Sequence, residues 1–168
     1  GQSIEDSRPM LEAMERSNGN ILIVDSTELK MERIAKSLRS KHNVTLQMDP
    51  KAALADAVRN KDLIIVSLLS PTFDGLRLCA SLKANEATRD IPILAIADPM
   101  DEARLVRAYE LGVNDTLIPP ILTPELIARV STQLKRKFYS DTLRDSFNES
   151  LEMVVTDTLT GLGNRRYF

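Results

Sequence analysis

The chain has 168 residues, of which 43% are hydrophobic and 27% charged, with a formal net charge of −2. That is room for one well-cored domain plus extensions, with the composition of an ordinary globular protein. The near-neutral charge and the lack of tryptophan argue against a nucleic-acid surface, while one cysteine (Cys79) and one histidine (His42) argue against a disulfide framework, a thiolate metal cluster or a histidine-rich metal centre.

Residues 1–18 are polar with weak helical spacing and read as a linker, or as the tail of something upstream. Gly19 and Asn20 then introduce "ILIVD" (21–25), a buried-strand run ending in Asp25. Over 27–41, Met31, Ile34, Ala35 and Leu38 fall at i, i+3, i+4 and i+7, which gives one apolar helical face. His42 follows beside Lys41 and Asn43, where a solvated helix-capping histidine is expected. "VTLQM" (44–48) alternates as a strand with one wet side. Asp49-Pro50 pairs an N-cap with a first-turn proline and opens a helix to about Asn60.

The run "DLIIVS" (62–67) reads as a fully buried strand, and a loop with Pro71, Asp74 and Gly75 leads to a helix over 75–84. "IPILAIA" (91–97) is another buried strand. Asp98-Pro99 suggests the next helix start, and Gly112 stands where a C-terminal glycine stop belongs. "VNDTLI" (113–118) is a short last strand, and Thr123-Pro124-Glu125 opens the final helix. Five β units alternating with five helices predict an α/β flavodoxin-like three-layer sandwich with a parallel sheet in the order 2-1-3-4-5. Its crevice would lie at the carboxyl ends of strands 1 and 3.

The final helix has no glycine or proline between Glu125 and Thr160. Leu126, Val130, Leu134 and Phe138, then Leu143, Phe147, Leu151 and Val154, maintain an apolar stripe. If helical over 124–155, it would reach roughly 48 Å, more than a small sheet can cover. The stripe points to a helix that finds a partner, such as a second copy in a coiled coil.

The phrases "ILIVD", "DLIIV…PTFDG", "IPILAIAD" and "GVNDTLIPPI", in that order, resemble the receiver domain of bacterial response regulators over about residues 20–138. The resemblance implies a CheY-like fold and five chemical positions. These are an acceptor aspartate ending strand 3, two acidic residues after strand 1 that hold Mg²⁺, a Thr or Ser ending strand 4, and a Lys after strand 5. Here the acceptor's place is Ser67 and the acidic pair is Asp25 and Ser26. The hydroxyl position is Ala97, the lysine position is Pro119, and the aromatic switch on strand 5 is Thr116. Asp25 alone matches. One carboxylate is a poor Mg²⁺ site, and a serine without a nearby base is a poor nucleophile. The resemblance thus implies a degenerate receiver with no catalytic residue and no metal. It also implies a cis bond between Pro119 and Pro120.

"DTLTGLGNRRYF" (157–168) carries Asp157, Leu159, Thr160, Gly161, Leu162, Asn164, Arg165 and Arg166 at the spacing that resembles the opening of GGDEF domains. Those domains are diguanylate cyclases, which join two GTP molecules into cyclic di-GMP. The whole chain is similar to a middle piece of a PleD-type response regulator. That implies a tail of an upstream receiver over 1–18, a degenerate receiver over 19–138, a connector helix over 139–156 and the start of a GGDEF domain over 157–168.

The function implied is a non-phosphorylatable adaptor in two-component signalling. Its partners would be an upstream receiver and a downstream cyclase of the same chain, with a homodimer in the full-length protein. The face built by the fourth helix, fifth strand and fifth helix of the β–α units would carry Arg104, Arg107, Glu110, Asp115, Glu125 and Arg129. Arg39, Lys41 and Asn43, near one helix end, could face the cyclase. Mg²⁺ and GTP would belong to the cyclase, and none to these residues. An alternative is a small-ligand or nucleotide module using the crevice around Asp25, Ser26, Ser67 and Ala97. No run approaches the roughly 20 apolar residues of a membrane span, and a cytoplasmic location is expected.

Overall fold

The computed structural model describes residues 4–16 and 18–160. Its elements in order are α1 (Ile4–Glu15), β1 (Asn20–Val24), α2 (Glu28–Leu38), β2 (Asn43–Gln47), α3 (Pro50–Ala57) and β3 (Leu63–Ser67). Then follow α4 (Gly75–Ala84), β4 (Ile93–Ile96), α5 (Glu102–Glu110), β5 (Asp115–Leu117) and α6 (Thr123–Thr160). The five strands form one parallel sheet in the order β2-β1-β3-β4-β5, as the alternation of elements requires. β3 is the central strand, and β1 lies between it and the edge strand β2: Ile23 lies opposite Leu46 on one side and Ile65 on the other.

Side chains alternate across the central strands. Leu22, Val24, Ile64, Val66, Ile93 and Ala95 join Ala53, Ala57, Leu78, Cys79, Leu82 and Ala108 in a core under α3, α4 and α5. The intervening residues Ile21, Ile23, Leu63, Ile65, Leu94 and Ile96 are also buried. Met31, Ile34, Ala35 and Leu38 of α2 and Leu126, Val130 and Leu134 of α6 are buried with them. Each fully buried leucine or isoleucine contributes about 1.5–3 kcal/mol. Over a dozen such residues define the fold independently of any chemistry at the crevice.

Local signals place most boundaries. Asp49 accepts from the Lys51 amide at 3.0 Å with Pro50 at the first turn, and Asp74 accepts from the Arg77 amide at 3.2 Å. Gly112 follows the end of α5 at φ +102°, and Pro119-Pro120 is cis.

Several expectations need correction. α5 begins at Glu102 and not at Asp98-Pro99, because Asp101 is the cap, accepting from the Arg104 amide at 3.2 Å. Asp98 instead closes a turn, accepting from the Met100 amide at 2.9 Å. α3 stops at Ala57, and Asn60 takes a positive φ of 53°. β2 shows intermediate burial from Val44 to Gln47, the pattern of an edge strand, with no clean alternation. Residues 4–15 are helical, with Pro9 inside the helix. His42 caps no helix: its Nδ1 accepts from the Gly19 amide at 3.1 Å and ties the entry of β1 to the end of α2.

The chain separates into two compact units, residues 17–137 and a second one that joins α1 to α6 from Phe138 onward. In the second unit Phe138 is buried and the Arg16 guanidinium lies 3.8 Å above its ring. Leu143, Phe147 and Leu151 of the same unit are exposed. Among the described residues no helix is long and apolar enough to cross a membrane.

Candidate functional site

Parallel strands deliver β1, β3 and β4 side by side at their carboxyl ends, the edge where open α/β sheets bind ligands. Asp25 follows β1 and Ser67 ends β3, and both are almost fully buried. A cavity of about 400 Å³ opens beside them. Asp25, Ser67 and Ile96 line it from the sheet, Lys30, Arg33, Ile34 and Ser37 from α2, and Pro119, Pro120, Ile121, Thr123 and Leu126 from the segment leading into α6.

Of the five degenerate positions, the cavity brings together Asp25, Ser67 and Pro119. Ser26 and Ala97 do not line it. Ala97 is 2% exposed and belongs to the core under α3–α5, since it alternates with Ile96 and so faces the other way. Ser26 instead occupies Asp25: its amide donates to Asp25 Oδ1 at 2.6 Å, with its hydroxyl 3.4 Å from the same oxygen. The Ser67 hydroxyl is engaged too, accepting from the Leu69 amide at 3.1 Å. Sequence reasoning missed Lys30 and Arg33. Both lie on α2, which the apolar spacing predicts, but that they border the cavity with Asp25 is set by tertiary structure.

A divalent cation of the Mg²⁺ type takes oxygen ligands in near-octahedral array, with one or two carboxylates. Asp25 is the one carboxylate lining the cavity, one of its oxygens is already bonded, and two cations line the same space. The donor set does not fit such an ion. Among the described residues no group of three His, Cys, Asp or Glu side chains could hold a metal. The Cys79 thiol is in the core, where burial pushes its pKa up to about 12 and leaves it unreactive.

The surface residues fall into three groups. Arg129 of α6 joins Glu125, Nε to Oε1 at 3.0 Å, and Asp115 of β5 through Nη1. Its pKa is raised by the hydrogen bond to Glu125 and then by that to Asp115. Arg107 and Glu110 pair one turn apart on α5 at 3.6 Å. Arg104 stands apart from both groups: its Nη2 donates to the Leu68 carbonyl at 3.0 Å. Thr116, at the position expected for an aromatic switch, exchanges a hydrogen bond with the Tyr109 hydroxyl at 3.1 Å. Asn43 Nδ2 donates to Asn20 Oδ1 at 3.1 Å, and Arg39 pairs with Glu32 at 2.7 Å. Asp157, Leu159 and Thr160 lie at the end of α6, where only the backbone is described. Gly161, Leu162, Asn164, Arg165 and Arg166 are outside the described residues.

Comparison with known proteins matches residues 21–131 to the response regulator receiver domain. Response regulator PleD of Caulobacter vibrioides is 48% identical over 149 residues, which are 89% of this chain and 33% of that protein. The chain thus spans about a third of that relative's length. Among solved structures, a putative response regulator from Chloroflexus aurantiacus superposes with a TM-score of 0.65 at 29% identity, over 70% of this chain and 98% of its own. The receiver domain of a sensor histidine kinase from Pseudomonas aeruginosa gives 0.63 at 27% identity, over the same shares of 70% and 98%. That structure holds a magnesium ion in its active site cleft.

Proposed function

The chain belongs to the response regulator receiver family, and on that premise we propose that it is an adaptor that takes no phosphoryl group. In this reading it docks a preceding receiver and thereby controls, through dimerisation, a diguanylate cyclase joined to its C-terminal end. The observation that carries it is the environment of Ser67. The residue at the acceptor position is buried, its oxygen is bonded to the Leu69 amide, and the position expected for a lysine is Pro119. Phosphoryl transfer rests on charge stabilisation by metal and cation, and the metal ligands are reduced to Asp25. The similarity to PleD and the opening motif from Asp157 to Arg166 support the link to a cyclase.

Assembly is the natural means of control. A product made from two GTP molecules held on two cyclase domains requires those domains to meet, so dimerisation acts through proximity. The Asp115–Arg129–Glu125 group and the Arg107–Glu110 pair supply a charged face for docking. Leu143, Phe147 and Leu151 supply an exposed apolar stripe on the connector. The Mg²⁺ and GTP belong to the cyclase, and the setting is cytoplasmic. In a longer protein with a preceding receiver and a cyclase, a phosphodonor should convert monomer to dimer by light scattering and raise cyclic di-GMP output. An unchanged mass with raised output would overturn the reading.

The cavity favours one second reading, a ligand-binding module. At about 400 Å³ it falls within the range of small-molecule sites, and Lys30 and Arg33 would favour an anion. A thermal-shift screen of nucleotides and organic anions tests it, since a bound ligand raises the melting temperature by mass action.

A further inference from the structure

α5 is nine residues long, and Ala108 is its one fully buried side chain. Val106 and Tyr109 are 57% and 48% exposed. Most helical stability in proteins comes from packing an apolar face, and on α5 that face is narrow: Ala108 is buried, and Leu105 is partly buried against the same core. Polar bonds add to its hold on the sheet.

Two side chains provide them, one near each end of the helix. Arg104 reaches across to the β3–α4 connection and donates from Nη2 to the Leu68 carbonyl at 3.0 Å, 36 residues away in sequence. Leu68 is a fixed point, because its amide donates to the Ile96 carbonyl at 2.8 Å and extends the β3–β4 ladder. The Arg104 Nε is buried without a hydrogen bond, 3.9 Å from Asp101 Oδ2. A donor left unbonded costs free energy, so the guanidinium's placement is governed by the bond to Leu68. At the other end, the Tyr109 hydroxyl pairs with Thr116 on β5 at 3.1 Å.

We infer that Arg104 and Tyr109 are positioning residues that lock α5 to the carboxyl end of β3 and to β5. The outer face of α5, with Val106, Arg107 and Glu110, is then held in one arrangement by the chain itself. No ligand or modification at the crevice is needed to set it. The significance of that face for docking rests on the proposed function, whereas the lock itself does not.

Amide hydrogen exchange on the 168-residue chain tests the lock. Arg104→Met keeps the apolar stem and removes the donor, and Arg104→Lys restores a donor. With Arg104→Met, exchange over residues 69–74 and over the first turn of α5 should quicken together by about tenfold, the effect of one charge-assisted bond. Arg104→Lys should return both segments toward the wild-type rate. Tyr109→Phe should quicken the last turn of α5 and leave residues 69–74 unchanged. Wild-type exchange over 69–74 in Arg104→Met, or no rescue by lysine, would overturn the inference. Exchange is read in the chain alone, so this result is separate from any docking measurement.

Discussion

Gly75 packs against the carbonyl of Ser67 so closely that no Cβ fits between them. A Cβ at position 75 would collide with that oxygen and approach Leu68 Cδ2 to 2.9 Å. Ser67 is held in β3 by its pairing with Ile96, so the backbone cannot retreat. The loop after the crevice therefore returns over the strand it has just left, and only glycine permits that return.

Gly75→Ala should destabilise the chain by about 2–3 kcal/mol, the cost of overpacking against fixed backbone. Urea denaturation measures it. A wild-type midpoint would show that the close approach is not a constraint.

The Gly19 amide needs a neutral His42, because Nδ1 must accept. Burial lowers the pKa of His42 from 6.5, and Lys41 adds to that lowering. The folded value thus lies below the unfolded one, so the contribution is present above about pH 6.5 and is lost as pH falls through the folded value. Stability should decline on mild acidification, before the carboxylates titrate. His42→Ala should cost about 1 kcal/mol at neutral pH and flatten the decline. An unchanged slope in the variant would contradict the assignment.

Restoring the acceptor alone should not restore chemistry. Ser67→Asp places a second carboxylate in the cavity that Asp25 already lines, at a site 2% exposed and with Pro119 at the lysine position. It should cost about 3 kcal/mol at neutral pH, the order of a buried charge set beside a like charge. Its pKa would be raised, so the penalty should fade as pH drops and the group protonates. Thermal melts at neutral and acid pH measure this. A variant as stable as the wild type at neutral pH would mean that the site still supports a carboxylate.

The Asp115–Arg129 pair should matter more for docking than for folding. Both side chains are about one-third exposed, so the pair is worth less than about 1 kcal/mol in the chain. Asp115→Arg should leave the melting temperature nearly unchanged while weakening dimerisation of the longer protein about tenfold or more, through like charge beside Arg129. Unaltered dimerisation would remove this face from the account.

The sheet was legible because burial on both faces leaves continuous apolar runs. Ile21–Val24 and Leu63–Val66 cannot be anything else once helices alternate with them. Caps at Asp49 and Asp74 were legible because their chemistry is local. Asp98 and Asp101 were not separable, since both carry the same capping chemistry and tertiary packing decides which one starts α5. His42 was misread, and the bond of Arg104 was not foreseen, for a related reason. Their partners, Gly19 and Leu68, lie 23 and 36 residues away, beyond the reach of any periodicity. The substitutions at the crevice positions are readable from the sequence, but the turn of Ala97 away from the cavity and into the core became visible only with the strand register.

The most direct test is intact-mass spectrometry of the chain after incubation with acetyl phosphate and Mg²⁺. The account predicts the unmodified mass at all times, because Ser67 is bonded to the Leu69 amide, Asp25 is the one carboxylate lining the crevice, and Pro119 holds the lysine position. A stoichiometric phosphoryl adduct mapping to the end of β3 would contradict it, and would make this domain an active receiver.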